Sequence, residues 1–269
     1  MPELPEVETI VRSLKNEIIK EKISAVYCSD KKMRVIAAED FKQRVKGKVI
    51  RKVERRAKYI LIFLTGNEVL VFHLGMSGRL ILTTKISQEK HNHCIIELTS
   101  GQFLTFYDPR RFGLYTTLKQ DELAQNKIFS NLGIEPLSNK FTNHYLQQCL
   151  KTKKLIKQTI MDSKLIVGVG NIYANEALYM AGILPFRPSN ILTVMECKKL
   201  VASIVAVLNK AIELGGSTLR DYRSSNGQIG SFQHKFLVYN RKYCPNYSNL
   251  IKNTRIGGRS SYYCDKCQN

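Results

Sequence analysis

Apolar residues in the first twenty positions of the chain recur at helical spacing. They stand at Val7, Ile10, Val11, Leu14 and Ile18. This period predicts a helix that buries one face. Pro5 suits the first turn of such a helix, and Glu6 and Glu8 suit its positive end.

From about Ile23 to Tyr115 the pattern changes to short β-rich runs separated by turn residues. The clearest runs are 59–64, 69–72 and 94–98, and they are bounded by glycine-containing segments. Many short strands at this spacing predict an antiparallel β-sandwich.

After about residue 131 the pattern becomes helical. One apolar face runs through Val194, Cys197, Val201, Ile204, Val205, Leu208 and Ile212. Gly215 and Gly216 then suit a helix end. We predict a catalytic sandwich domain over 1–130, a hinge linker over 131–140, a helical domain over 141–236 and a terminal module over 237–269.

Charge adds the strongest indication of a partner. The 269 residues include 42 Lys and Arg against 22 Asp and Glu, a formal net charge of +20. Such an excess favours a polyanion, because cations that neutralise phosphates release condensed counterions. A protein that binds membranes usually has a lipidation site or clustered lysines beside an apolar patch, and we recognise neither in this sequence. No secretory signal is recognised, so we expect a cytoplasmic nucleic-acid-binding protein.

The first residues also carry candidate chemistry. If Met1 is trimmed, Pro2 becomes a secondary α-amine beside the carboxylate of Glu3. An α-amine titrates near about 8, so a useful fraction is neutral and nucleophilic. Attack on an electrophilic carbon gives an iminium ion, which is an electron sink. The simpler interpretation is a helix start alone, and both stay open at this point.

Two further segments stand out. The glycine-rich run from Gly168 to Glu176 places Asn171 at a helix start, where free backbone N–H groups can bind phosphate. A plain turn between helices explains the same glycines equally well. Near the end of the chain, Cys244 precedes the pair Cys264 and Cys267 at the spacing of a zinc ribbon, but Tyr247 stands where a fourth thiolate is needed.

Six motifs in chain order together resemble one family. They are Pro2-Glu3-Leu4-Pro5-Glu6, residues 55–59, His73-Leu74-Gly75-Met76, residues 108–113, Gly168 to Glu176, and the cysteine-rich end. The chain resembles the bacterial formamidopyrimidine-DNA glycosylases. The resemblance implies an N-terminal antiparallel β-sandwich with flanking helices, a C-terminal helix–two-turn–helix domain, and a β-ribbon of zinc-finger type, with duplex DNA crossing between the halves.

The resemblance also implies a bifunctional enzyme that removes oxidised purines, such as 8-oxoguanine and formamidopyrimidines, and then cleaves the abasic site by β,δ-elimination. Pro2 would attack C1′, Glu3 would be the general acid, and Lys58 would touch a phosphate and support the lyase steps. Met76, Arg110 and Phe112 would fill the space left by the extruded base. Without the family, core packing would explain Met76 and Phe112 better.

The remaining implied contacts concern the DNA backbone, the lesion and the metal. Phosphates would be bound by His91, Lys157, Asn171 and Arg259, and the loop over 217–232 would close over the everted base. Zn²⁺ would be held by Cys244, Cys264 and Cys267, with water or a phenolate as fourth ligand at the Tyr247 position. A ribbon that folds without metal is the alternative.

Two rival functions stay open. One is an endonuclease-eight-like glycosylase for oxidised pyrimidines, and the other is a catalytically impaired DNA-binding relative. Leu4 after the Pro-Glu pair, Phe112 and the long 217–232 loop favour the purine enzyme. The expected partner is double-stranded DNA that contains oxidised purines or abasic sites, bound by a monomer in the bacterial cytoplasm, at the nucleoid.

Overall fold

The computed structural model describes residues 2–33, 39–86, 89–217 and 230–269. The helices are α1 (Leu4–Glu17), α2 (Phe41–Val45), α3 (Asn143–Cys149), α4 (Ile156–Ile160), α5 (Asn171–Ala181) and α6 (Val194–Glu213). The strands are β1 (Ile23–Cys28), β2 (Ile50–Arg56), β3 (Tyr59–Leu64), β4 (Glu68–His73), β5 (Arg79–Thr83), β6 (Asn92–Leu98), β7 (Phe103–Tyr107), β8 (Leu114–Lys119), β9 (Lys252–Ile256) and β10 (Arg259–Tyr263). Among these described helices, none is both long and apolar enough to span a bilayer.

The chain divides into two compact units. The first, the sandwich unit, consists of Met1–Ser130 and Leu214–Ser231. The second, the helical unit, consists of Asn131–Glu213 and Phe232–Asn269. The described ends of the predicted capping loop therefore group mainly with the sandwich unit.

The sandwich unit contains two four-stranded antiparallel sheets, ordered β1-β6-β7-β5 and β2-β3-β4-β8. Alternate residues of both sheets share one buried cluster, in which Ile62 of β3 and Ile96 of β6 are representative members. The predicted antiparallel sandwich is thus confirmed. Each of the three runs predicted from the pattern is a strand, and β4 and β6 each extend beyond the predicted run at one or both ends.

The first helix closes one side of this core. Val7, Ile10 and Leu14 of α1 are completely buried in the cluster formed by the two sheets. Burial of one such side chain stabilises a fold by about 1.5–3 kcal/mol. The predicted amphipathic helix is therefore present, and it holds the first residues of the chain against the sandwich.

In the helical unit, α4 is followed by two turns and then by α5, whose residues are nearly all buried. The apolar face predicted for α6 is partly wrong. Val194 is 65% exposed, whereas Leu200 and Val207 are buried. The segment 200–208 is apolar at almost every position, so its periodicity could not select the buried face.

The terminal module is a two-stranded antiparallel hairpin. Ile256 of β9 pairs with Arg259 of β10, and the two-residue turn between them is Gly257-Gly258. Both glycines have positive φ, +56° and +74°. A two-residue hairpin turn of this kind favours glycine, because its backbone twist requires positive φ at both central residues.

Candidate functional site

The N-terminus is held by a reciprocal pair of carboxylates. Glu3 caps α1 and accepts from the backbone N–H of Glu6, while the Glu3 N–H donates to Glu6 Oε2 at 2.8 Å. Pro2, Glu3 and Glu6 are all buried. This capping box fixes the backbone of Glu3, directly after Pro2, and gives Glu6 a role in fixing the helix start.

Glu6 also binds the start of the predicted capping loop. Its Oε1 accepts from the N–H of Ser217 at 2.7 Å and from the Ser217 hydroxyl at 3.0 Å. At the other end of the loop, the N–H of Ser231 donates to the Leu214 carbonyl at 2.9 Å. The two ends of the loop therefore meet, and one of them is bonded to Glu6. Most of the loop, 218–229, lies outside the described residues.

Lys58 lies in the two-residue turn between β2 and β3, where Ala57 has a φ of +55°. Arg55 braces this turn: its Nη1 donates to the Ala57 carbonyl at 3.0 Å, and its Nε donates to Glu8 Oε2 of α1 at 2.8 Å. Burial raises the pKa of Glu8, but the hydrogen bonds and charges of Arg12 and Arg55 outweigh it and leave the pKa lowered. The turn that carries Lys58 is thereby joined to the first helix.

The void-filling candidates share an edge of one sheet with Lys58. Tyr59 at the start of β3 pairs with His73 at the end of β4, and His73 pairs with Leu114 at the start of β8. The turns and loops directly beyond these three strand ends carry Lys58, Met76 and Phe112. The sheet register therefore brings together three motifs that are far apart in sequence.

Asp108 organises the loop before β8. Its completely buried carboxylate accepts from the Ser77 hydroxyl at 2.7 Å, the Arg110 N–H at 3.2 Å and the Gly113 N–H at 2.8 Å. The loop is also packed against Gly75, where an added Cβ would lie 2.5 Å from the backbone of Phe112 and Gly113. One buried carboxylate thus connects the Met76 loop to the Phe112 loop.

The side chains at the tips of these loops point to solvent. Met76 is 42% exposed and Phe112 is 44% exposed. The Arg110 guanidinium lies 4.8 Å from the centroid of the Phe112 ring, which is cation–π distance. Core packing therefore does not explain Met76 and Phe112.

His91 belongs to the same unit. Its side chain is half-buried, and its carbonyl accepts from the Asp108 N–H at 3.0 Å. The ring packs edge-on against Tyr107, with centroids 5.8 Å apart. The candidate phosphate ligand is therefore attached to the backbone of the same Asp108 loop.

In the helical unit, Asn171 is the first residue of α5, directly after Gly170. Its Oδ1 is buried and has no hydrogen-bond partner within the described part of the chain. One turn later, Asn175 Oδ1 accepts from the Tyr262 N–H of β10 at 2.8 Å. The predicted helix start is thus observed, and the same helix is bonded to the terminal hairpin.

Glu176 ties α5 to a second segment. Its buried carboxylate accepts from three consecutive N–H groups, those of Leu237 at 2.8 Å, Val238 at 3.0 Å and Tyr239 at 2.7 Å. Burial raises the pKa of Glu176, and the three N–H groups oppose that rise. This carboxylate fixes the chain just before the terminal hairpin.

Lys157 does not lie on the surface. It is 1% exposed, and its Nζ donates to the Ser260 carbonyl at 2.8 Å and to the Ser261 hydroxyl at 2.6 Å. The ammonium of Lys157 is thus bonded within the helical unit, where it supports β10 next to Arg259, which is exposed beside the hairpin turn. Direct contact of Lys157 with the DNA backbone stays a prediction.

Three cysteines meet in the terminal module. The sulfur atoms of Cys244, Cys264 and Cys267 all lie within 4.8 Å of one another, and those of Cys244 and Cys267 are 3.5 Å apart. Burial raises the pKa of Cys244, but hydrogen bonds from the Tyr179 hydroxyl and from the N–H groups of Asn246 and Tyr247 bring it to about 7. Thiolates so grouped are suited to a metal such as Zn²⁺.

Three residues that position the site had no role assigned from the sequence: Asp108, Glu176 and Tyr179. Asp108 and Glu176 stand inside motifs already recognised, which was the available signal. Two of the donors to Asp108 are close in sequence, but Ser77 and all three donors to Glu176 come from segments that only the fold brings near.

Two family models match the chain. The formamidopyrimidine-DNA glycosylase N-terminal domain matches residues 1–115, and the formamidopyrimidine-DNA glycosylase H2TH domain matches residues 132–223. A formamidopyrimidine-DNA glycosylase of Wolbachia pipientis subsp. Culex pipiens (strain wPip) is 45% identical, with 100% of each chain covered.

Solved structures agree with these matches. MutM (FPG) of Thermus thermophilus is 35% identical with a TM-score of 0.89, over 99% of this chain and 98% of that one. A Lactococcus lactis FPG mutant in complex with Fapy-dG containing DNA is 32% identical with a TM-score of 0.92, over 99% of both chains. The wild-type Lactococcus lactis protein was also solved with an oxidized pyrimidine containing DNA, at 32% identity, 99% coverage of both chains and a TM-score of 0.91.

The sandwich, the two-turn helical unit and the cysteine-bearing hairpin define the class of protein, an enzyme of the DNA glycosylase kind. Similarity over the full length makes the assignment specific. The chain belongs to the formamidopyrimidine-DNA glycosylase family.

Proposed function

We propose that this enzyme excises oxidised purines from duplex DNA and cleaves the abasic site that results, with Pro2 as nucleophile. The observation that carries the proposal is the sheet edge at which Lys58, Met76 and Phe112 are brought together by the register of β3, β4 and β8. An extruded base needs side chains to fill its place in the duplex. Exposed Met76 and Phe112, with Arg110 beside them, have the chemistry for that role.

The proposed reaction begins once Met1 is removed and the Pro2 nitrogen is a free amine. The nitrogen attacks C1′ and loses its proton, the bond from C1′ to the base breaks, and the bond from C1′ to O4′ opens, with Glu3 supplying a proton to the opening sugar or the departing base. The product is an iminium ion between Pro2 and C1′. Loss of a C2′ proton then expels the 3′ phosphate, a second elimination expels the 5′ phosphate, and water releases the enzyme.

We propose that the DNA backbone is contacted by residues whose hydrogen-bond donors are accessible. Arg259 is exposed beside a glycine turn, Asn171 starts α5, and His91 is half-buried beside the Asp108 loop. Helix starts and arginines are common phosphate ligands. For Lys157 we propose a positioning role through Ser260 and Ser261, because its ammonium is buried against them.

We propose that Zn²⁺ is held by Cys244, Cys264 and Cys267. The donor set fits this ion, since thiolates are preferred ligands of structural zinc and the three sulfurs lie within 4.8 Å of one another. When bound, zinc supplies structural stability to the hairpin rather than reaction chemistry. The setting we propose is a monomer in the bacterial cytoplasm, acting on nucleoid DNA.

The decisive test is borohydride trapping on an 8-oxoguanine:cytosine duplex. Reduction of the iminium should give a covalent protein–DNA adduct whose peptide maps to Pro2. A variant that retains an N-terminal extension before Pro2 is the matched control and should give no adduct, because its nitrogen is an amide. An adduct on Lys58 would contradict the assigned nucleophile.

The same assay separates the rival functions. We expect faster trapping on 8-oxoguanine:cytosine than on a thymine-glycol:adenine duplex. The reverse preference would favour the oxidised-pyrimidine enzyme, a candidate that the Lactococcus lactis complex with an oxidized pyrimidine makes worth testing. Binding to either duplex without any adduct would indicate the catalytically impaired relative.

A further inference from the structure

The proposed zinc site has three thiolates, and structural zinc takes four ligands. Tyr247 occupies the sequence position of the missing ligand, but its side chain is 59% exposed. The residue contributes its backbone N–H to Cys244. The fourth ligand should therefore come from elsewhere in the helical unit.

Tyr179 of α5 is directed at the cysteine cluster. Its side chain is 6% exposed, and its hydroxyl oxygen lies 3.2 Å from Cys244 Sγ and 3.5 Å from Cys267 Sγ. Tyr179 belongs to the same buried cluster as Cys244 and Cys264. A buried phenol whose oxygen touches two thiols is positioned as a donor to whatever those thiols bind.

The distances among the Tyr179 oxygen and the sulfurs of Cys244 and Cys267 match tetrahedral coordination, and the Cys264 sulfur lies within 4.8 Å of the other two sulfurs. With zinc–sulfur bonds of about 2.3 Å, two thiolates of a tetrahedron are about 3.8 Å apart. With a zinc–oxygen bond of about 2.0 Å, oxygen and sulfur are about 3.5 Å apart. The observed distances are 3.5 Å between the sulfurs of Cys244 and Cys267, and 3.2 Å and 3.5 Å from these sulfurs to the Tyr179 oxygen.

Two asparagines also lie near the sulfurs, and neither matches this geometry as well. Asn249 Nδ2 and Oδ1 lie 3.4 Å and 3.5 Å from Cys264 Sγ, and Asn246 Nδ2 lies 3.7 Å from Cys267 Sγ. Each of these contacts joins one asparagine to one sulfur, and side-chain amides are hydrogen-bond donors to thiolates. These residues suit the outer layer that orients metal ligands rather than the ligand set itself.

We propose that the hydroxyl oxygen of Tyr179 is the fourth ligand of a zinc site formed with Cys244, Cys264 and Cys267. The inference rests on the zinc binding put forward under the proposed function. On binding, the thiols and the phenol release their protons to solvent, and four bonds to zinc form. The consequence is direct: the helix that begins with Asn171 and the hairpin that carries Arg259 are joined through one ion.

The test uses the full-length protein, zinc content by elemental mass spectrometry, competition with a chromogenic chelator, and the visible spectrum of the Co²⁺-substituted protein. Tyr179→Phe keeps the ring and removes the oxygen, and Tyr247→Phe is the matched control. We expect about one equivalent of zinc in the wild type, a roughly 10–100-fold lower zinc affinity in Tyr179→Phe, and no change in Tyr247→Phe. Tyr179→Phe should also shift the Co²⁺ bands.

The outcomes distinguish a failure of zinc binding from a failure of Tyr179 as the fourth ligand. Zinc below about a tenth of an equivalent in reconstituted wild type would refute zinc binding itself. Full zinc with unchanged affinity and Co²⁺ spectrum in Tyr179→Phe would refute the ligand role and indicate water instead. A double variant gives an independent measurement. Adding Tyr247→Cys to Tyr179→Phe should restore tight zinc binding, because the new cysteine supplies a thiolate at the sequence position where the ribbon lacks one. Trapping at Pro2 is scored separately and reports on catalysis.

Discussion

At the scale of single residues, exposure distinguishes function from packing. Met76 and Phe112 are large apolar side chains, and removing them from water would normally stabilise the fold. The fold instead leaves both of them more than 40% exposed and uses a buried carboxylate, Asp108, to hold their loops. Exposed apolar groups on rigidly bonded loops indicate a binding surface.

Phe112→Ala tests this interpretation. We expect excision from an 8-oxoguanine:cytosine duplex to fall about tenfold, because nothing replaces the ring in the gap left by the extruded base. The melting temperature should change little, since the ring is largely in solvent. Ile191→Ala, which removes an exposed apolar side chain from the helical unit, should leave excision unchanged. Equal losses in both variants would contradict a void-filling role.

At the scale of elements, hydrogen bonds at helix starts and tight turns fix the positions of the helices and strands. The Glu3–Glu6 capping box starts α1, Gly257-Gly258 turns the hairpin, and a second reciprocal cap starts α6. In the α6 cap, the N–H of Glu196 donates to the Thr193 hydroxyl at 3.2 Å, and Glu196 Oε2 accepts from the Thr193 N–H at 2.8 Å. Glu196 also forms an ion pair with Arg187.

Glu196→Gln tests how much the negative charge of Glu196 contributes to the stability of the fold. The Arg187 hydrogen bond, opposed by burial and aided by Thr193, lowers the pKa of Glu196 to about 2. Because the folded pKa lies below the unfolded one, the stabilisation is complete above about pH 4.5 and is lost as pH falls toward 2. We expect a melting temperature about 2–4 °C lower at pH 7, and a difference that shrinks below pH 4.5.

Calorimetry over this pH range is the measurement. Glu213→Gln is the control, because Glu213 forms an exposed ion pair with Lys210 at 3.0 Å and such pairs contribute little. A difference for Glu196→Gln that stays constant down to pH 2 would show that its charge is not the cause.

At the scale of the whole molecule, the net charge of +20 predicts binding that depends steeply on salt. Each phosphate contact contributes about 0.9 to the slope of log affinity against log salt. Arg259→Ala should therefore weaken binding to any duplex and reduce the slope by about 1. Lys198→Ala removes the same charge from the exposed surface of α6 and should not change the slope. Fluorescence anisotropy from about 50 to 200 mM salt measures both.

Much of the fold could be predicted from the pattern of residues. The β-rich runs bounded by turn residues became β3, β4 and β6, and the helical period at the start became α1. The strand predictions succeeded because short apolar runs rich in β-branched and aromatic residues end at clear turn signals, and the helix prediction succeeded because α1 shows one apolar face in its own sequence. The prediction for α6 failed in part because nearly every position of 200–208 is apolar, so neighbours rather than period chose its buried face.

The sequence by itself determined the strand and helix types, the family, and the residue types available for chemistry. The tertiary structure decided which of them meet. It buried Lys157 against β10, brought the Ser77 hydroxyl to Asp108 and three N–H groups to Glu176, and brought Tyr179 to Cys244 across 65 residues of chain while leaving Tyr247 in solvent. Such contacts depend on the path of the whole chain, whereas secondary structure depends on near neighbours.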